Sequence, residues 1–167
     1  IVKEGQGFSN SVPQYDSFEP GRSFDVASLA PFSVTLDDFR ATFEQAGPQR
    51  GAPRDFEADV TYRTSPDAPE QQATIRVNEP LIVDGAKVFL VGHGFAPTFR
   101  ITDAAGQVVF DDSVVFLPQD GNFTSSGVIK VPDTTPQLGF TGIFLPTFAS
   151  DPVRGGFSTF PAADDPR

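Results

Sequence analysis

Apolar and polar residues alternate along several short segments of the chain, which is the pattern of half-buried β-strands. The clearest alternation covers residues 56–62 and predicts a strand there. A second alternation covers residues 32–36 and predicts another strand. Its phase shifts at Asp37-Asp38, so the residues up to Phe43 either continue the strand through a β-bulge, which we favour, or form a short helical turn.

Turn residues separate further apolar runs and predict two hairpins. Asp84-Gly85 between the apolar residues 81–82 and 88–91 forms the first, and a turn at residues 103–106 forms the second. Other apolar runs predict strands or core residues at 74–78, with Ile75 and Val77 inward, at 114–117, at Phe123, at 128–131, and at Phe140, residues 143–145 and Phe148.

Short strands with turns between them, and no long segment of helical periodicity, predict an all-β fold. The expected architecture is an antiparallel sandwich or an open barrel. Residues 1–30 lack a sustained period and are interpreted as an irregular, extended N-terminal arm that its aromatic residues pack onto the core. Residues 31–160 are expected to form the β domain, and residues 161–167 an acidic tail that leads to a linker.

Charge and missing residue types exclude several functions. The formal net charge of −10 repels phosphate, so nucleic acid is excluded as a partner. Because the chain has no cysteine, it has no disulfide, no thiolate metal site, no cysteine nucleophile and no covalently attached haem. A chain that starts at Ile1 and has no methionine is expected to be a piece of a longer protein. Its apolar runs are far shorter than the ~20 residues of a membrane-spanning helix.

His93 is the one histidine of the chain and lies between two glycines, where the backbone can bend and present the ring as a ligand. A structural histidine at the end of a strand is the interpretation we favour. One histidine cannot build a bis-histidine haem site, and no serine lies in a nucleophile-elbow motif. Adjacent acids such as Asp111-Asp112 point to opposite faces of a strand and are expected to be surface charges. We therefore expect neither an enzyme nor a metal site.

A series of short motifs resembles the ResB family of cytochrome c biogenesis proteins, in its actinobacterial branch. The longest motif covers residues 84–97 and contains Gly92-His93-Gly94-Phe95. Another covers residues 116–123 and contains Pro118-Gln119-Asp120. The remaining matching segments are residues 4–8, 14–18, 20–21, 29–32, 37–39, 53–56, 75–81 and 137–140. The resemblance therefore covers most of the chain.

The resemblance implies a membrane protein of cytochrome complex assembly, whose large hydrophilic domain lies on the extracytoplasmic side of the cell membrane. This chain would be that domain, with the membrane segments outside it. ResB-like proteins work with a ResC/CcsA-type partner to export haem and to attach it to apocytochrome c. The haem-ligand histidines of the family are associated with membrane segments. The resemblance therefore assigns no haem role to His93 and no cofactor to this chain, while haem belongs to the full complex.

We hypothesise that the domain guides apocytochrome c and haem through a sheet edge or an apolar groove. The residues expected to form this haem or partner site lie in two loops and are Gly92, His93, Gly94 and Phe95, and Pro118, Gln119, Asp120 and Phe123. Two alternatives stay open. One is an extracellular binding or adhesion β-sandwich with no haem role. The other is a hydrolase whose pocket would hold His93 with a carboxylate and a hydroxyl.

Overall fold

The computed structural model describes residues 1–49, 51–150 and 157–159, and most of its regular structure is β-strand. The strands are β1 (Gly7–Ser9), β2 (Ser33–Phe43), β3 (Pro53–Arg63), β4 (Gln71–Arg76), β5 (Leu81–Val83), β6 (Ala86–Val88), β7 (Thr98–Thr102), β8 (Val108–Ser113), β9 (Leu117–Pro118), β10 (Ser125–Val131), β11 (Leu138–Phe144), β12 (Ala149–Ser150) and β13 (Phe157–Ser158). The helical elements of the described residues are the short 3-10 turns Val12–Gln14, Val26–Ser28 and Gly47–Gln49. Each strand pair whose register is described is antiparallel, so the predicted all-β antiparallel class is confirmed.

Contacts divide the chain into two compact units. The first consists of residues 1–42 and 54–91. The second consists of residues 43–53 and the described residues from Gly92 onward. The boundaries expected for the arm and the β domain stay predictions, and the expected tail at residues 161–167 lies outside the described residues.

The first unit is built on a sheet with the strand order β1-β2-β3-β4. The strand predicted at residues 56–62 is part of β3, and residues 33–43 form one strand, so the helical alternative was wrong there. Asp37 and Asp38 are consecutive exposed residues of this strand, so the alternation of buried and exposed positions shifts there, as the sequence pattern indicated. The core of this unit is formed by the buried residues Phe32, Val34, Ala58, Val60, Ile75, Leu81 and Val83.

Part of the N-terminal segment joins this sheet. β1 pairs with β2, and the ring of Phe8 meets the ring of Phe32 edge-on, with 6.2 Å between the centroids. Tyr15 and Phe24 instead pack against Phe18, at 5.7 and 5.3 Å between centroids. Phe8 therefore reaches the core, while the other three rings form a small cluster of their own.

The hairpin predicted at Asp84-Gly85 is confirmed. These residues join β5 to β6 with φ angles of 45° and 80°, the left-handed pair that a type I′ turn requires. The inward orientation predicted for Val77 was wrong, because this side chain is 49% exposed. The chain turns there between Arg76 and Glu79, whose backbone groups hydrogen-bond to each other.

Charged side chains link three strands on the exposed face of the first sheet. Arg40 on β2 contacts the carboxylates of Asp38, Glu57 and Asp59 at 2.5, 3.1 and 2.7 Å. Arg76 on β4 donates to the other oxygen of Glu57 at 2.5 Å. Hydrogen bonds from Arg76 and Arg40 lower the pKa of Glu57. Hydrogen bonds from Arg40 and Thr74 lower the pKa of Asp59. Arg40 therefore neutralises carboxylates that would otherwise repel one another.

The second unit contains a three-stranded sheet with the order β11-β10-β9 and the predicted hairpin of β7 and β8. β10 pairs with β11 over seven residues, from Ser125 opposite Phe144 to Val131 opposite Leu138. Ser125 and Val131 are fully buried, whereas Val128, on the other face of β10, is 50% exposed. One face of this sheet is therefore packed and the other is open.

Several core and strand predictions for the second unit were wrong. Phe140 and Ile143 on β11 are 43% and 70% exposed, and Phe148 is 61% exposed. Ile143 lies on the open face of the sheet, whereas Phe140 lies opposite the buried Ile129 at the edge of the packed face. An apolar pattern predicts that a strand has a buried face, but it does not show whether another layer covers that face or whether the strand lies at an edge. Of the strand predicted at residues 114–117, only Leu117 lies in a strand, the two-residue β9. Phe123, also predicted in a strand, lies in a turn with a φ of 58°.

An aromatic cluster between two loops as the candidate functional site

The two loops that the sequence singled out lie against each other in the second unit. Phe95 and Phe116 form a backbone bridge, in which the N–H of Phe116 donates to the carbonyl oxygen of Phe95 at 2.9 Å. A Cβ added to Gly94 would lie 3.5 Å from the Cδ of Pro118. These contacts bring the predicted residues 92–95 together with the predicted residues 118–123.

His93 packs its imidazole among aromatic rings. The imidazole stacks on the ring of Phe123, with 4.4 Å between centroids and 26° between planes, and lies 6.1 Å from the ring of Phe43. Its Nε2 atom is buried. Burial lowers the pKa of His93, because an apolar environment penalises the charged form. The imidazole is therefore neutral at physiological pH, and its Nε2 faces the interior of the protein.

A turn organised by Asp120 fixes the second loop. The carboxylate of Asp120 accepts hydrogen bonds from the backbone N–H groups of Asn122 and Thr124 at 2.9 and 3.0 Å. Hydrogen bonds from the side chain and the backbone of Thr124 lower the pKa of Asp120. The N–H of Gln119 donates to the carbonyl oxygen of Thr124 at 2.7 Å and closes the turn. The loop is thus held by its own hydrogen bonds.

Phe123 adopts a backbone conformation that bulky residues rarely take. Its φ of 58° lies in the left-handed region, which costs about 1–2 kcal/mol for a residue with a Cβ. Its ring stacks on His93 and meets the ring of Phe95 at a right angle, with 6.1 Å between centroids. The buried hydroxyl of Ser125 donates to the Phe123 carbonyl oxygen at 2.8 Å. Ring packing and this hydrogen bond together hold the strained residue in place.

The cluster extends to phenylalanines that were not among the predicted site residues. Phe144 lies 5.1 Å from Phe95 and 6.3 Å from Phe116, and Phe116 stacks on Phe99 at 5.7 Å. In the sequence these residues, like Phe43, are ordinary apolar members of strands. The one signal that could have found them is the high phenylalanine content, 18 residues with no tryptophan.

The eight predicted residues divide evenly by exposure. Gly92, Gly94, Gln119 and Asp120 are exposed, and His93, Phe95, Pro118 and Phe123 are half-buried. Small and polar groups therefore border a half-buried aromatic surface. In the described part of the chain, no group of three or more histidine, aspartate or glutamate side chains could hold a metal ion.

The fold and the site define an all-β protein with an aromatic cluster between two loops. The sequence model of the ResB-like family matches residues 1–167, so the chain belongs to this family, as the sequence motifs predicted. The family is involved in cytochrome c biogenesis and is generally membrane-associated. No curated protein and no solved structure matches the chain. Among the described residues, no helix has the length and apolar character needed to cross a bilayer.

Proposed function

We propose that this chain is the extracytoplasmic domain of a membrane protein that supports cytochrome c maturation. In this role it handles apocytochrome c and works with a ResC/CcsA-type partner, while haem is delivered through the full complex. The observation that carries the proposal is the family match over residues 1–167. The domain is proposed to act by binding, without catalysis of its own.

The absence of cysteine and the negative charge of the chain are compatible with binding apocytochrome c. The haem-attaching thiols of apocytochrome c have to stay reduced, and a domain with no cysteine forms no mixed disulfides with them. The net charge of −10 favours cationic polypeptides over anionic ones at the encounter stage. Both properties permit apocytochrome handling.

The two loops supply a surface that an extended chain can approach closely. A Cβ added at Gly92 would meet no atom within 4 Å, so the backbone there is open to solvent. Gly94 leaves the ring of Pro118 uncovered, and Phe95 and Phe123 lie half-buried beside it. Glycines beside aromatic rings allow a partner's backbone to lie on an apolar surface without steric conflict. This surface is the proposed contact for apocytochrome c.

The packing of His93 favours a structural role over haem ligation. An axial ligand has to offer a nitrogen lone pair to the iron. The Nε2 atom is buried and the ring is stacked on Phe123, so ligation through this atom would require the loop to open. The aromatic surroundings also disfavour the hydrolase alternative, in which the imidazole would lie between a carboxylate and a nucleophilic hydroxyl.

A haem titration of the purified chain, followed by its Soret absorbance, tests the role of His93. The His93→Ala and His93→Phe variants are titrated alongside, because phenylalanine keeps a ring in the stack but offers no ligand. We expect the three titrations to be the same. A saturable Soret shift that is lost in both variants would identify His93 as an axial ligand and would make the domain a haem relay.

A further inference from the structure

In the part of the chain that the structure describes, β11 is a long edge strand of its sheet. Among the described residues it pairs with β10 alone, and its seven residues contain no charge and no proline. Leu138, Phe140 and Ile143 on this strand are 43%, 43% and 70% exposed. Proteins normally shorten such edges or place charges on them, because a free edge offers backbone hydrogen bonds to any extended chain. An edge left in this state is suited to binding another strand.

The other edges of the two larger sheets are protected in these ordinary ways. β1 has three residues and β9 has two, one of which is Pro118. β4 ends in Arg76, whose guanidinium is tied to Glu57 and lies near Glu79. The open edge at β11 therefore stands out against edges that are short or charged.

An apolar groove runs beside this edge on the open face of the same sheet. Its volume is about 810 Å³, and its lining includes Leu117, Val128, Thr141 and Ile143. Leu117 and Val128 are 51% and 50% exposed. A strand added to β11 would lie about 4.8 Å beyond it, and its side chains on this face would reach the groove.

Charge decides which occupant fits the edge. A second copy of the chain would bring together two bodies that each carry a net charge of −10, and their repulsion disfavours pairing through β11. A cationic chain is instead attracted to the domain. We propose that β11 is a docking edge for an extended, cationic polypeptide segment, which adds to the sheet as a fourth strand with its apolar side chains in the groove. This inference rests on the proposed function, under which the segment belongs to apocytochrome c.

Amide hydrogen exchange of the purified chain tests the docking edge. The probe is a synthetic peptide of alternating valine and lysine, and its counterpart of alternating valine and glutamate is the charge control. We expect the lysine peptide to slow exchange in β11 and to leave β4 unchanged, and the glutamate peptide to have no effect. Binding of the lysine peptide with no protection of β11 would overturn the inference.

Two matched variants separate edge pairing from general charge repulsion. Thr141 on β11 and Gln72 on β4 are both exposed residues of edge strands, and Gln72 lies outside the groove and the two loops. Thr141→Lys and Gln72→Lys therefore add the same charge at two different sheet edges. We expect Thr141→Lys to weaken binding of the lysine peptide at least about tenfold more than Gln72→Lys does. Equal weakening would attribute binding to charge alone and would overturn the docking edge.

The same variants distinguish failure of this inference from failure of the proposed function. Thr141→Lys is expected to lower cytochrome c maturation in cells, and Gln72→Lys to leave it near the wild-type level. Peptide binding at β11 together with normal maturation in Thr141→Lys would show that this edge does not bind apocytochrome c in cells. Substitutions in the two loops test the role of the loops separately. A dimer of the purified wild-type chain that Thr141→Lys does not form would also overturn the inference, because the edge would then bind a second copy of the chain.

Discussion

Gly127 on β10 and Gly142 on β11 lie directly opposite each other, and the ring of Phe116 fills the space that their missing side chains leave. Phe116 is 2% exposed and bridges to Phe95 through its backbone. The glycine pair therefore forms a socket that lets an aromatic ring lie on the sheet backbone. The socket anchors the segment that joins the two loops of the candidate site.

The first prediction concerns how closely the ring of Phe116 packs against the two glycines. A Cβ at position 127 would lie 2.5 Å from the Cδ2 of Phe116, so Gly127→Ala has to displace a buried ring. We expect it to lower the free energy of unfolding by about 1–3 kcal/mol, the usual range for overpacking. A Cβ at position 142 would lie 3.4 Å from the same ring, so Gly142→Ala is expected to cost less. Urea denaturation measures both effects.

Gly139→Ala is the control for these substitutions. It lies on the same strand as Gly142, and its added Cβ would meet the carbonyl oxygen of Ile129 at an ordinary 3.9 Å. We expect its midpoint of denaturation to stay close to that of the wild type. An equal midpoint for Gly127→Ala and Gly139→Ala would mean that the ring of Phe116 does not depend on the socket.

The second prediction is the pH dependence set by His93. Burial lowers the pKa of this imidazole below its ordinary value of 6.5. Above about pH 6.5 the imidazole is neutral in both states, so its contribution to stability is fully present there. As the pH falls from that value to the folded pKa, the unfolded chain binds a proton that the folded chain does not, and stability is lost.

NMR titration checks this directly, because the chain has a single histidine and therefore a single imidazole spectrum. We expect the measured pKa to lie below 6.5, and thermal unfolding of His93→Phe to lose the part of the pH dependence that His93 causes. A titration at or above the ordinary value would contradict the buried, neutral imidazole.

The third prediction concerns the charges around Arg40. Arg40→Met leaves Asp38, Glu57 and Asp59 without the cation that they share. The pKa values of Glu57 and Asp59 are lowered in the folded state, so the stability they provide is present above about pH 4 and is lost as the pH falls through their folded values. The variant is therefore expected to be less stable than the wild type at neutral pH, by an amount that shrinks in acid.

Arg100→Met is the matched control for that prediction. Arg100 contacts the single carboxylate of Asp111 at 2.6 Å and is itself 67% exposed, so little is expected to change when it is removed. Thermal unfolding of both variants at neutral and acidic pH gives the comparison. A loss for Arg40→Met that is no larger than for Arg100→Met, or that grows in acid, would show that the shared cation is not stabilising.

Local sequence signals predicted those parts of the fold that one or two residues decide. Asp84-Gly85 determines a type I′ turn because few residue pairs accept two positive φ angles. The regular alternation of residues 56–62 likewise predicts β3. The sequence also singled out both loops of the candidate site. That they touch depends on the backbone bridge of Phe95 and Phe116, which local patterns do not show because the two residues lie in separate segments.

The errors of sequence interpretation share a physical cause. Phe140 and Ile143 have the apolar character of core residues, yet both lie on the edge strand β11. Ile143 lies on the open face of the sheet, and Phe140 lies opposite Ile129 on the packed face. Phe123 has a high β propensity, yet hydrogen bonds to Asp120 and stacking on His93 hold it in a turn. The position of each residue in the tertiary structure, which local preference does not show, decided the outcome in each case.

The proposed role of the two loops in cytochrome c maturation is measured most directly by the haem that is covalently attached to the c-type cytochromes of cells. Gly94→Gln and Gly121→Gln each place one long polar side chain on a loop, and Gly21→Gln places the same side chain elsewhere on the surface. At position 94 the new Cβ makes an ordinary 3.5 Å contact, and at positions 121 and 21 it meets nothing within 4 Å. All three variants are therefore expected to fold.

Each variant is expressed as the only copy of the protein, and its amount is measured beside the haem attached to cytochrome c. We predict that Gly94→Gln and Gly121→Gln lower the attached haem several-fold at an unchanged amount of protein, while Gly21→Gln leaves it at the wild-type level. Equal amounts of mature cytochrome c in all three strains would contradict the assignment of this function to the two loops.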